Sequence, residues 1–274
     1  MTGRELFRPD FVASDLDGTL LTPSLEFPPG TVTGVADLGA AGVPLVVCTG
    51  RMFRSARKVA ERLGLRQGPA VCYQGALVAD LGTGEWLQHL PLSSSLAADV
   101  IRHARQIGRH VNVYVDDELY VEQDDEWARR YAEHAEVGMN VVADLLEVVA
   151  DRPPTKAIIA ADPDEVAVLL PDLQEFWRGK LYVTRSLPHY IEINDVHATK
   201  SSALEFLCRR LDARRQRVVA CGDGLNDIDM LRWAGLGVAM LEAVAEVRAA
   251  ADLVVPRDRL GDLFGRLAAQ TPAG

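Results

Sequence analysis

The sequence predicts an α/β protein, a parallel-sheet core into which a separate α+β block is inserted. Three observations carry the prediction. Near both ends of the chain, short apolar runs alternate with segments of helical spacing, as parallel strands joined by crossover helices require. The runs VPLVVC (43–48) and RVVAC (217–221) are apolar at nearly every position, the pattern of strands buried on both faces. Between these regions the rhythm changes to hairpin signals, which belong to antiparallel sheet.

Taken in order, 11–14 reads as a short strand and 31–42 as a helix closed by Gly42. A strand follows at 43–48, then a helix at 53–63 that stops at Gly64, then a strand at 69–73. GALVADLGTGEWLQHLPL holds two strand-like runs about Gly82-Thr83-Gly84, and VNVYVDDELYVEQ holds two more about Asp116-Asp117. Helices are expected at 95–107, 126–134 and 163–176, and strands near 139–142, 156–161, 181–185 and 190–194. The α/β rhythm then returns: helix 201–211, strand 217–221, helix 227–233, strand 236–240, helix 243–250, the short run LVV, and a last helix at 260–268. These readings divide the chain into a core (1–81 and 190–274) and an insertion (82–189), the latter of a size typical of an independent domain.

Composition narrows the function. The 274 residues suffice for one large or two ordinary domains. With 48% hydrophobic and 25% charged residues, the chain matches ordinary globular proteins and not disordered, collagenous or coiled-coil ones. No apolar run reaches the roughly 18 to 20 residues of a membrane helix, and MTGRELFRPDF lacks the apolar stretch of a secretion signal, so no membrane partner and a cytoplasmic location are expected. A net charge of −10 with scattered arginines argues against nucleic acid, and the basic stretch 209–217 reads as the solvated end of a helix. Cys48, Cys72, Cys208 and Cys221 form no CxxC pair and read as buried free thiols. A small molecule is the expected partner.

Four segments carry the chemistry. FVASDLDGTLL (11–21) ends an apolar strand with Asp15 and Asp17, two carboxylates that repel one another where burial makes unpaired charge costly. A turn accounts for one such residue, but not for two flanking a leucine, and strand ends are where parallel sheets place their sites. Thr49-Gly50-Arg51 ends the second strand with a hydroxyl and free N–H groups suited to an anion, though an ordinary threonine cap explains it as well. Lys200 stands at the start of a helix, where a cation opposes the dipole. GDGLNDIDML (222–231) supplies Asp223, with Asn226 and Asp227 three and four residues on; a helix cap explains the latter two but not Asp223. Three carboxylates meeting at strand ends require a cation, and hard oxygen ligands describe Mg²⁺. Adding the lysine and the Thr-Gly anion site gives the composition of a phosphoryl-transfer centre.

In this order, DLDGTLL (15–21), CTGR (48–51), Lys200 and GDGLNDIDML resemble the four motifs of the haloacid dehalogenase-like (HAD) superfamily of phosphohydrolases, and the resemblance spans essentially the whole chain. The insertion resembles the type two (C2B-like) cap of the Cof-type branch. The resemblance implies a Rossmann-like core, Asp15 as nucleophile and Asp17 as general acid and base. It implies Mg²⁺ held by Asp15, the Asp17 carbonyl and Asp223, with Asp227 outside the ligand set. Phosphate would be held by Thr49, Gly50, Lys200, Asn226 and the Leu16 N–H. The expected activity is Mg²⁺-dependent hydrolysis of a small phosphorylated metabolite, a sugar phosphate foremost. A sugar-phosphate phosphomutase would use the same core; a non-catalytic metal- and phosphate-binding sensor would share the acidic pocket without needing Asp17, the Thr-Gly clamp or a cap. Three departures point to altered specificity or cap docking: Gln74-Gly75 replaces Asn-Gly, Ser201 replaces Gly after the lysine, and Leu241-Glu242 replaces Gly-Asn in VAMGNA. Of Arg185, His189 and Tyr190, which could return over the pocket, at least two are expected to be surface or hinge residues.

Overall fold

The computed structural model describes residues 6–270, so the first five residues of MTGRELFRPDF lie outside the described part. The chain opens with β1 (Phe11–Ser14), α1 (Thr31–Ala40), β2 (Leu45–Val47), α2 (Phe53–Arg62), β3 (Pro69–Cys72), β4 (Leu77–Asp80) and β5 (Trp86–His89). It continues with α3 (Ser94–Gln106), β6 (His110–Val115), β7 (Glu118–Val121), α4 (Glu126–Ala135), β8 (Met139–Val141), α5 (Leu145–Asp151), β9 (Lys156–Ala160), α6 (Pro163–Phe176), β10 (Leu181–Arg185) and β11 (Tyr190–Asp195). It closes with α7 (Lys200–Leu211), β12 (Val218–Gly222), α8 (Ile228–Trp233), β13 (Leu236–Met240), α9 (Ala245–Ala250), β14 (Leu253–Val255) and α10 (Leu260–Ala268). Only α5 lacks a counterpart in the sequence reading, because its 7 residues are too few for a helical period to show.

The core sheet has the order β14-β13-β12-β1-β2, with every neighbouring pair parallel. Every residue of β1, β12 and β13 is buried, as their continuous apolar runs require. The register Phe11↔Val218 to Ser14↔Cys221 sets the carboxyl end of β12 beside that of β1, with β2 on the other side. Asp15, Thr49 and Asp223 are thereby brought to one edge of one sheet. All four cysteines are buried and free. No helix among the described residues is long and apolar enough to cross a membrane.

Strand pairing bears on where the boundaries expected near 81 and 189, give or take several residues, are best drawn. β4 and β5 pair with each other and with β3, and β3 joins the core through the Cys48↔Val71 bridge, so the Gly82-Thr83-Gly84 hairpin stays with the core. β11 lies inside a second sheet, β10-β11-β9-β6-β7-β8, where Ile193 pairs with both Ala157 and Val183. Hairpin patterning shows that two strands pair, but not which sheet edge they join. We place the inserted unit at 90–195 on this hydrogen bonding.

The second sheet is apolar on one face and selectively polar on the other. Ala157, Ile159, Ile191 and Ile193 pack in one cluster with Ala97, Val100 and Ile101 of α3. The opposite face carries Lys156, Tyr190, Glu192 and Asn194, all buried. From it Asn194 Nδ2 donates to the Tyr73 carbonyl at 3.0 Å, which seats the insertion on the core. Asp116 and Asp117 turn the β6–β7 hairpin with φ of 50° and 59°, the left-handed pair that a two-residue loop demands. Asp117 then accepts from the N–H groups of Phe53 and Arg54 at 2.9 and 2.8 Å, capping the core helix α2 from the other domain.

The β4–β5 hairpin yields a prediction. Asp80 accepts from the N–H groups of Gly82 and Thr83, both at 2.9 Å, and of Gly68 at 3.2 Å. The Thr83 N–H foremost holds its carboxyl below the usual range, so its stabilisation is complete above the unfolded value of about 3.9 and is lost as pH falls through the lower folded value. Asp80→Ala should lower the melting temperature at neutral pH, with the gap to the unaltered protein closing in acid. A gap that widens in acid would reverse the assigned sign.

Candidate active site

Lys200 organises the centre. It is the first residue of α7, not the residue before it, and Thr199 caps the helix through the Ser202 N–H. Its Nζ, 1% exposed as a residue, donates to Asp15 Oδ1 and Asp227 Oδ1, each at 2.6 Å. Those two carboxylates offset what the cation loses by sitting at the positive end of a helix dipole. Asp227 Oδ2 accepts from the N–H groups of Asp223 and Gly224 at 2.9 and 2.8 Å, so both its oxygens are engaged in holding the loop and the lysine. Asp223 Oδ1 accepts from the Thr19 hydroxyl at 2.6 Å. The other Asp223 oxygen fills the space beside Gly18, where an added Cβ would come within 2.1 Å of it, so the DGT turn has to carry glycine there.

One oxygen from each of Asp15, Asp223 and Asp227 lies within 4.8 Å of the others. Burial drives the Asp15 carboxyl well above the usual range; Lys200 opposes this, and Asp227, Asp223 and Asp17 add to it. Burial and then Asp227 push Asp223 up to about 6, against the Thr19 hydroxyl, Arg257 and Lys200. One lysine thus faces three carboxyl groups, and burial disfavours the charged forms of Asp15 and Asp223, which a further cation would stabilise. Hard oxygen donors in that state fit a divalent cation such as Mg²⁺.

Asp17 faces away from this cluster. Arg51 grips it with two hydrogen bonds, Nε to Oδ2 at 2.7 Å and Nη2 to Oδ1 at 2.5 Å, and His134 Nε2 stands 4.0 Å from Oδ1. Burial holds His134 below the ordinary histidine range, although Asp17 pulls the other way. Thr49 Oγ1 accepts from the Arg51 N–H at 3.2 Å. Leu16 is buried, and its carbonyl closes the turn by accepting from the Leu21 N–H at 2.7 Å. Asn226 donates one amide hydrogen to Gln74 Oε1 at 3.0 Å.

Of the expected residues, Asp15, Asp17, Thr49, Gly50, Asp223 and Asn226 line one cleft, with Lys200 and Asp227 buried behind it. Tyr190 lines the cleft and Arg185 and His189 do not; the His189 ring packs 5.8 Å from Trp127. Sequence reasoning missed the lining residues Tyr131, His134, Lys156, Ser186 and Glu192 and the grip of Arg51 on Asp17. A signal existed for two of them: Lys156 and Glu192 are charges within the apolar strands KAIIAA and YIEIN. The departures have local explanations. Gln74 bonds Asn226, the Ser201 N–H donates to Asp229 at 2.9 Å, and Glu242 accepts from the Arg257 N–H rather than adding charge to the cleft.

Known proteins match this arrangement along the chain. The family model of the haloacid dehalogenase-like hydrolases matches residues 12–259. The pyridoxal phosphate phosphatase YbhA of Escherichia coli is 30% identical over 259 residues, covering 89% of this chain and 92% of its own. The HMP-PP phosphatase of Serratia proteamaculans is 27% identical over 243 residues, covering 86% of this chain and 85% of its own. The crystal structure of TM0651 from Thermotoga maritima superposes with a TM-score of 0.81 at 30% identity, covering 98% of this chain and 99% of that one. Matched across both halves of its core and the whole insertion, the chain belongs to the haloacid dehalogenase-like hydrolases.

Proposed function

We propose that this protein is a Mg²⁺-dependent phosphomonoester hydrolase that works through an aspartyl phosphate on Asp15. The observation that carries the reading is the pairing of Asp15 with Lys200 on one side of the cleft while Asp17 is held apart by Arg51. The two carboxylates have separate surroundings and so can have separate tasks. The Asp15 carboxylate attacks phosphorus in line, forming the aspartyl P–O bond as the ester P–O bond breaks. Asp17 gives its proton to the leaving alkoxide and then takes one from the water that hydrolyses the aspartyl phosphate. Arg51 occupies both oxygens of Asp17, so the ion pair has to open before Asp17 can reach the leaving group. Thr49, Gly50, Lys200, Asn226 and the Leu16 N–H hold the phosphoryl oxygens. Mg²⁺, held by Asp15, the Asp17 carbonyl and Asp223, would supply positive charge against the repulsion between the nucleophile and the phosphate.

The relatives named for pyridoxal phosphate and HMP-PP support a small phosphorylated metabolite as substrate. Sugar phosphates, the class favoured by the sequence, should be assayed beside such ring-bearing esters. A phosphomutase would return an isomerised ester instead of free phosphate, and a sensor would turn over neither.

The protein should release phosphate from a generic aryl phosphate with Mg²⁺ and lose that activity to a chelator. Asp15→Asn should lower turnover by roughly a thousandfold or more, and unchanged turnover would remove Asp15 as nucleophile. Asp17→Asn should lower kcat by roughly 10² to 10⁴, the usual worth of a positioned acid and base, and should also lower the melting temperature, since it leaves the buried Arg51 without its carboxylate.

A further inference from the structure

A buried charge from the inserted domain reaches the anion-binding loop. Lys156 is fully buried on β9, and its Nζ donates to the Gly50 carbonyl at 2.7 Å and to Glu192 Oε2 at 2.9 Å. It stands 5.4 and 5.0 Å from the ring centres of Tyr73 and Tyr114. Burial disfavours its charge, but Glu192 more than offsets this and holds the amine above the ordinary lysine range. Glu192 is 2% exposed, and its second oxygen accepts from the Ser186 hydroxyl. Such a pair adds little net stability over apolar side chains of equal volume, but it fixes direction.

What it directs follows from peptide geometry. The Gly50 carbonyl and the Arg51 N–H belong to one planar trans peptide and point opposite ways. Lys156 takes the carbonyl, and the N–H on the far side donates to Thr49 Oγ1 at 3.2 Å. That acceptance fills a lone pair of the Thr49 oxygen and leaves its hydroxyl hydrogen to donate into the cleft. The loop has little room to shift, since a Cβ at Gly50 would lie 2.3 Å from Gln74 Nε2 and 3.1 Å from Glu192 Oε1.

We propose that Lys156, held by Glu192, is a positioning residue of the phosphate site: through the single peptide plane between Gly50 and Arg51 it aims the Thr49 hydroxyl, so that seating the inserted domain completes the anion-binding loop. The proposal rests on the reading that Thr49 and Gly50 hold the phosphoryl group. It makes Lys156 indifferent to the leaving group, because it acts on the part that every substrate shares.

The test is the double variant Lys156→Met/Glu192→Gln, which leaves no orphaned buried charge. Inorganic phosphate binding in the presence of Mg²⁺ is measured by calorimetry, and kcat/KM is measured on an aryl phosphate and on glucose 6-phosphate. Phosphate affinity should fall roughly ten- to a hundredfold, the scale of a lost charge-assisted hydrogen bond, and kcat/KM should fall by one common factor for both esters. In a Thr49→Val background the same double substitution should add little, since two residues acting through one contact are not additive. A folded double variant that binds phosphate like the unaltered protein would overturn the proposal, as would losses that differ severalfold between the esters. If the double variant does not fold, Lys156→Gln, whose shorter amide cannot span to Gly50, is judged by the same criteria. Should the unaltered protein neither bind phosphate nor hydrolyse the aryl ester, the phosphatase reading falls and this proposal with it. If it does both, only the assignment of Lys156 is at stake.

Discussion

Carboxylates crowded at the ends of two adjacent buried strands repel one another, and the Lys200 ammonium between Asp15 and Asp227 is what lets them stay. Much of the core architecture serves that contact. The parallel pairing of β1 with β12 brings together residues some two hundred positions apart, and α7 delivers the lysine from behind the sheet. The helix start that Lys200 destabilises is repaired by Thr199 and by Asp229, which accepts from the Ser201 N–H. Burial above all raises the Asp15 and Asp223 carboxyls despite the lysine, and a second cation that favours their charged forms is the physical ground for the metal site proposed above.

The inserted domain meets the core through polar groups on the inner face of its sheet. Period-two alternation along β11 sends Ile191 and Ile193 into the domain's own core and sends Tyr190, Glu192 and Asn194 toward the cleft. Asn194, Lys156 and Asp117 then bond to the Tyr73 carbonyl, the Gly50 carbonyl and the start of α2. Those three targets lie on the two loops that follow β2 and β3. Docking and the geometry of the Thr49-Gly50 loop are therefore coupled by direct hydrogen bonds.

Legibility tracked how local the cause was. Helix and strand positions were readable because apolar periodicity, Gly42, Gly64 and the Asp116-Asp117 turn act within a few residues. The boundaries near 81 and 189 were readable only to within several residues, because β5 and β11 resemble many strands and only their partners say which sheet owns them. Arg51 was visible within CTGR, yet nothing in that tetrapeptide announces that its guanidinium lies across Asp17. Lys156 and Glu192 were anomalous charges in apolar strands, and an anomaly 36 positions from its partner names no role until the strands pair.

By itself the sequence determined the fold class, the order of the elements and the four segments that converge on the candidate site, because strand burial, turn residues and unpaired carboxylates leave marks at fixed short spacings. Only the tertiary structure decided how those charges are shared: Asp15 and Asp227 with Lys200, Asp17 with Arg51, and Glu192 with Lys156. Electrostatic partnership falls off over a few ångströms in space, and distance along the chain carries almost no information about it.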